Sequence, residues 1–187
     1  MSSVTAEPHT EWLPHRALTR SDLATMPDDG HRYELIDGVL VVSPSPSMPH
    51  QSVLFELAVR LRNACPAELK VYVAPLDVTY ADDTVLQPDV LVVDRPAAGQ
   101  LKLTEGPLLA VEILSPSTRH LDLAFKRARY EAAGCPSYWV VDPGLPSIVC
   151  WEFIDGSYHE VAKATGDEQV TVTQPFPITL SPADLVD

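Results

Sequence analysis

Val85-Leu86-Gln87-Pro88-Asp89-Val90-Leu91-Val92-Val93-Asp94 is a long β-prone run, broken near its middle by a proline and an acid. Further along, Leu108-Leu109-Ala110-Val111-Glu112-Ile113-Leu114-Ser115 carries a second acid inside a second apolar run. Near-continuous apolar strands are what a sheet covered on both faces requires. A carboxylate inside such a strand is costly to desolvate, and a partner charge or a metal must offset that cost. Asp89 and Glu112, on neighbouring strands, could supply the offset jointly by gripping a divalent cation.

Working outward from these two strands, the run Lys70 to Ala74, leading into Val78 to Tyr80, adds a further strand on the N-terminal side. Before it, Val53, Leu54, Leu57, Ala58 and Leu61 recur at helical spacing, which predicts an amphipathic helix from His50 to Ala64 ending before Pro66. The segment Ser43 to Pro49 alternates serine and proline and reads as a turn or loop. Arg32 to Ile36 and Val39 to Ser43 flank Asp37-Gly38, a strong two-residue hairpin signal. Thr19-Arg20-Ser21-Asp22 resembles a capping box opening a short helix through Met26. On the C-terminal side, Ser117-Thr118 offers a cap for a helix from Leu121 to Ala133, closed by Gly134 and Pro136. Ser137 to Asp142 is another buried-type strand. Ser147 to Ile154 and Tyr158 to Ala162 form a hairpin about Asp155-Gly156, and Gln169 to Thr173 is a last strand. The core order of helix, three strands, helix and strand predicts an α/β sandwich, a mixed sheet flanked by helices, with an extra N-terminal hairpin and extra C-terminal strands.

A chain of 187 residues suits one core. Residues 1–18 read as a flexible arm and 19–187 as a single domain. No apolar run approaches the roughly 18 residues that span a bilayer, and Met1 to Arg16 has no signal-peptide core, so the expected location is cytoplasmic. Cys65, Cys135 and Cys150 are odd in number and widely spaced, which points to neither a disulfide framework nor a zinc site. The formal net charge of −13 argues against an extended basic face for nucleic acid. One local exception stands directly after the Glu112 strand, where Arg119, Lys126, Arg127 and Arg129 face only Asp122 between Arg119 and Tyr130.

The order of elements, with Pro88-Asp89 and Glu112 on successive strands, resembles the PD-(D/E)XK nuclease superfamily. More narrowly, the chain resembles the Uma-two family of restriction-endonuclease-like proteins, long known as a domain of unknown function. The blocks carrying the resemblance are Tyr33-Glu34-Leu35-Ile36-Asp37-Gly38, Gln87-Pro88-Asp89-Val90, Val111-Glu112-Ile113-Leu114-Ser115-Pro116-Ser117-Thr118, Asp122 with Lys126, Tyr130-Glu131-Ala132-Ala133-Gly134 and Tyr138-Trp139-Val140-Val141-Asp142-Pro143. They span about residues 20–155. The superfamily pattern has a lysine two residues after the second acid. Leu114 stands there in this chain, and the resemblance implies that Lys126, from the following helix, takes its place.

The resemblance implies an endonuclease that hydrolyses phosphodiester bonds of DNA with Mg²⁺, for which Mn²⁺ would substitute. Asp89 and Glu112 would be direct metal ligands, together with the carbonyl of Ile113. Lys126 would orient or deprotonate the attacking water, or stabilise negative phosphate, as a point charge. Glu34 would be an outer carboxylate, while His50, Asp77, Ser115 and Arg119 are candidate substrate-binding residues. Each has a structural alternative. Asp89 could cap a strand entry, Glu112 could form a buried salt bridge with Lys126, and Lys126 could pair with Asp122 on an exposed helix face. Glu34 could be ion-paired beside Arg32, His50 could cap or pack, and Ser115 and Ser117 could shape the turn. Neither a serine triad nor a Gly-rich phosphate loop is present.

The competing functions are a nuclease-fold binding or regulatory protein without turnover, and a metal-dependent hydrolase of a small phosphorylated substrate. A two-fold homodimer is expected, because Trp151, Phe153 and Tyr158 give the C-terminal strands more aromatic surface than one sheet edge covers.

Overall fold

The computed structural model of the chain describes residues 16–96, 103, 105–116, 119 and 121–186, the side chains of 121 and 122 excepted. The proposed helix cap at 117–118 and residues 1–15 of the expected arm lie outside the described residues. Leu18, at the end of that arm, is buried against Leu35 and Val85, and its N–H donates to the Gly38 carbonyl at 2.8 Å.

A short helix α1 (Arg20–Leu23) carries the predicted capping box, with Thr19 and Asp22 bonded reciprocally. Strands β1 (Arg32–Ile36) and β2 (Val39–Ser43) then pair antiparallel through Asp37 and Gly38. Both turn residues have positive φ, 53° and 74°, as a primed hairpin turn demands. At Gly38 a Cβ would fall 2.6 Å from that of Ala17, so close approach as well as φ requires glycine. Helix α2 (Met48–Ala64) begins two residues before its predicted start, at an Ser47 cap with Pro49 in its first turn.

The two expected strands 70–80 and 85–94 are each split. β3 (Leu69–Val73) and β4 (Val78–Ala81) belong to different sheets, as do β5 (Thr84–Leu86) and β6 (Val90–Asp94). The second break falls at Gln87-Pro88-Asp89, where proline has no N–H to give to a ladder. Asp89 therefore sits where the chain leaves one sheet for the other. β7 (Leu109–Ile113) follows, then a π-helical turn (Leu121–Lys126) running into α3 (Arg127–Ala132). The rest comprises β8 (Ser137–Asp142), β9 (Ser147–Ile154), β10 (Ser157–Thr165) and β11 (Val170–Val172). β12 (Ile178–Leu180), which pairs with β11, and a 3-10 turn (Ala183–Leu185) close the chain and were not predicted.

The larger sheet has the order β10-β9-β8-β7-β6-β3, antiparallel except for the parallel pair β7–β8, and the smaller sheet has the order β2-β1-β5-β4. This is the mixed α/β architecture the sequence predicts. One face of the larger sheet packs Val90, Val92, Val111 and Ile113 against Val53, Leu57 and Leu61 of α2. The opposite face packs Ala110, Leu114, Tyr138 and Val140 against Tyr130 of α3 and Ile36 and Leu86 of the smaller sheet. Strand alternation places Glu112 on this second face, between Ala110 and Leu114.

The aromatic side chains of the C-terminal strands are taken up in part within the chain. Trp151 is 8% exposed and stacks on Tyr138, with Arg127 lying over its ring. Tyr158 also stacks on Tyr138 and donates its hydroxyl to the Cys135 carbonyl. Phe153 and Tyr158 remain half-buried. All three cysteines are free, and burial pushes the Cys135 thiol up to about 11, as befits a small apolar core residue.

Candidate active site

Asp89 and Glu112 meet by register. Val90 pairs with Val111 in the antiparallel β6–β7 ladder, so one step further along Asp89 comes opposite Glu112. Both are buried, as are Glu34 and Lys126. Four charged groups in a core need one another, and each is supplied by a different part of the chain.

Asp89 uses both carboxylate oxygens. Oδ1 accepts from Arg32 at 2.8 Å; Oδ2 accepts from the Ile113 N–H at 2.8 Å and lies 3.2 Å from Nε2 of His50. Burial pushes the carboxyl's pKa upward, but the His50 hydrogen bond, the Arg32 charge and the Ile113 N–H outweigh it and hold the group down at about 2. Ordinary ionisation is thus secured by three donors rather than by solvent. His50 sits in the first turn of α2 and is 5% exposed, with Nδ1 buried and unpartnered among the described residues. Its Nε2 is turned to Asp89, and the residue lines the cleft described below.

Glu112 is held from the helical side. Lys126 Nζ lies 3.2 Å from its Oε2, and Tyr130 donates its hydroxyl to Oε1 at 2.8 Å. Lys126 and Tyr130 are four residues apart, so one helical face delivers both. Lys126 also reaches Glu34 Oε1 at 3.0 Å, and that oxygen accepts from the Gln87 N–H at 2.8 Å. At 1% exposure Lys126 cannot be a surface residue, which overturns the exposed-face reading; the side chain of Asp122 is outside the described residues. The buried salt bridge between Glu112 and Lys126, the alternative reading of Glu112, is present. The second oxygen of Glu34, Oε2, is buried with no hydrogen-bond partner among the described residues.

A cleft of about 660 Å³ opens onto only part of this cluster. Arg32, His50, Asp77, Gln87 and Asp89 line it, with Leu54 and Pro75 among its apolar walls. Glu34, Glu112 and Lys126 are buried and do not line it. Asp77 is exposed in the cleft and accepts from the Gln87 side chain at 2.7 Å. Ser115 is half-buried just past the end of β7. Arg119 pairs with Asp142 at the end of β8 instead of joining the cluster.

Sequence reasoning missed the roles of Arg32 and Tyr130. The alternation Arg32-Tyr33-Glu34 places Arg32 and Glu34 on one face of β1 and could have signalled the first. Spacing from Lys126 could have signalled the second.

Among the described residues, no three carboxylate, histidine or cysteine side chains are grouped closely enough to hold a metal ion as they stand. Carboxylate oxygens are the donors a hard divalent ion takes; here Lys126 joins Glu34 to Glu112, and Glu34 Oε2 has no hydrogen-bond partner among the described residues. No helix among the described residues is long and apolar enough to cross a membrane.

The Uma2 family model, described as "Putative restriction endonuclease", matches residues 20–185. Among solved structures, the chain is similar to the 1.96 Å crystal structure of "a putative nuclease belonging to DUF820" from Anabaena variabilis ATCC 29413. The two share 20% identity with a TM-score of 0.73, over 90% of this chain and 97% of that one, a likeness of fold. No curated protein matches the chain.

Proposed function

This chain belongs to the Uma2 family, and from that premise we propose that it is a metal-dependent nuclease hydrolysing phosphodiester bonds of DNA. The observation that supports this reading is the buried grouping of Asp89, Glu112 and Glu34 with Lys126, of which Asp89 lines an open cleft. Asp89 and Glu112, with the Ile113 carbonyl, would hold Mg²⁺ or Mn²⁺. When bound, the ion supplies the positive charge that activates water and offsets the charge growing on the phosphorane oxygens.

The protein's own contribution is positional. His50 and the Ile113 N–H fix the Asp89 carboxylate, and Tyr130 fixes that of Glu112. Lys126, pinned between Glu112 and Glu34, holds an ammonium within the carboxylate cluster, where it would steady the attacking water or the negative phosphate. Its delivery from a helix leaves position 114 free for Leu114, which packs in the apolar cluster with Tyr130.

The reading is tested by calorimetric titration with Mn²⁺, alongside cleavage assays on supercoiled, linear duplex and single-stranded DNA. Wild-type protein should bind the ion and cut; Asp89→Asn and Glu112→Gln should do neither while retaining the fold. Ion binding with no cleavage of any nucleic acid would favour a binding or regulatory protein of nuclease fold. The net charge of −13 and the full commitment of both Asp89 oxygens favour that second reading. A two-fold homodimer is proposed on the separate ground that a duplex presents two strands to cut. Light scattering returning a monomer-sized particle at micromolar concentration would remove it.

A further inference from the structure

We propose that Arg32 binds a phosphate of the nucleic-acid backbone and that, without substrate, it is held in reserve on Asp89 in competition with the metal. The inference rests on the reading that phosphodiesters enter the cleft, and it adds the group that receives them.

Two cations serve the carboxylate cluster, and they are placed differently. Lys126 does not line the cleft and its side chain is 2% exposed, whereas the Arg32 side chain is 21% exposed and lines the cleft. Arg32 spends only one nitrogen on its bonds: Nη1 donates to Asp89 Oδ1 at 2.8 Å and to the Gln87 carbonyl at 3.1 Å. Nε and Nη2 make no hydrogen bond among the described residues. A planar fork with donors uncommitted beside open space is suited to bidentate capture of phosphate oxygens. The cleft needs such a group, because Asp28, Asp77 and Asp89 also line it and would repel an entering phosphate. Although burial opposes the charge on Arg32, Asp89, Glu112 and Glu34 together more than restore it, so the guanidinium is held firmly charged.

The shared partner has a thermodynamic consequence. A divalent ion on Asp89 takes over the charge that Arg32 now neutralises, and the two cations repel each other. An incoming phosphate draws Arg32 off Asp89 and relieves that repulsion. Metal and nucleic acid must then bind cooperatively, each raising the affinity of the other by the same factor.

The test is Mn²⁺ calorimetry with and without a short phosphorothioate oligodeoxynucleotide, on wild-type, Arg32→Gln and Arg32→Lys proteins, with thermal melting as the check on folding. In wild type the oligonucleotide should tighten Mn²⁺ by about five-fold or more. Arg32→Gln should bind Mn²⁺ more tightly than wild type when alone, bind the oligonucleotide more weakly, and lose the coupling. A purely structural Arg32 would move metal affinity the other way. Folded Arg32→Gln protein with unchanged or weaker Mn²⁺ binding and unchanged oligonucleotide binding would overturn the proposal. Should Arg32→Gln fail to fold, Arg32→Lys decides: it keeps the charge and loses the fork, so undiminished oligonucleotide affinity would refute phosphate capture. Wild-type protein that takes no Mn²⁺ would sink the metal reading and the competition with it, while the oligonucleotide arm would still decide the phosphate role.

Discussion

Asp89 and Glu112 stand opposite each other across one step of the β6–β7 ladder, yet their surroundings are built differently. Asp89 opens on the cleft and is held by Arg32, which is partly exposed, and by His50. Glu112 is closed in by Lys126 and Tyr130, both about as buried as itself. A partner near solvent can be exchanged at small cost, because water or a ligand replaces it. A partner in the core cannot, since its loss strands a charge in low dielectric. The cluster thus joins an exchangeable half to a fixed half, and the difference is measurable.

The largest effect belongs to the fixed half. Lys126→Ala strands Glu112 and Glu34 together and should cost about 3–5 kcal/mol in chemical denaturation. Under conditions where the variant is still folded, turnover should fall by roughly two to four decades. Adding Leu114→Lys should recover part of the activity, because position 114 shares the sheet face of Glu112. A Lys126→Ala protein as stable and as active as wild type would break the comparison at its core.

Asp89→Asn should cost less, about 1.5–3 kcal/mol, because Arg32 regains water when its charged partner is lost. The same carboxyl gives a pH signature in metal-free protein. Its folded value of about 2 lies below the unfolded value near 4. The stabilisation is therefore complete above about pH 4 and is lost as pH falls from there toward 2. Denaturation midpoints across that window should fall more steeply for wild type than for Asp89→Asn; parallel profiles would show that Asp89 is not held as described.

Tyr130→Phe removes one hydroxyl from Glu112 and leaves the ring stack on Tyr138 in place. About 1.5 kcal/mol of stability should go, with a charged acceptor left partly unsatisfied. Least affected should be Arg129→Ala, which breaks an exposed pair with Asp37 and should shift stability by no more than about 0.5 kcal/mol. Were Arg129→Ala to match Tyr130→Phe, burial would not be the variable that separates the two halves.

Sequence by itself determined the features that local geometry encodes. Asp37-Gly38 selects its hairpin because few other pairs tolerate two positive φ values. The spacing of Val53, Leu57 and Leu61 determines which face of α2 is buried, and the apolar runs around Asp89 and Glu112 identify central strands with acids that need partners. Only the tertiary structure decided where those partners come from. Pro88 marks a break within Val85–Asp94, but nothing local reveals that β5 and β6 on either side of it join different sheets. The pairing of Arg32 with Asp89 spans 57 residues of chain, and Lys126 turns inward because two carboxylates await it there. Periodicity records which face of an element is apolar. It carries no record of which distant element will supply a counter-charge, because that interaction exists only once the chain has closed upon itself.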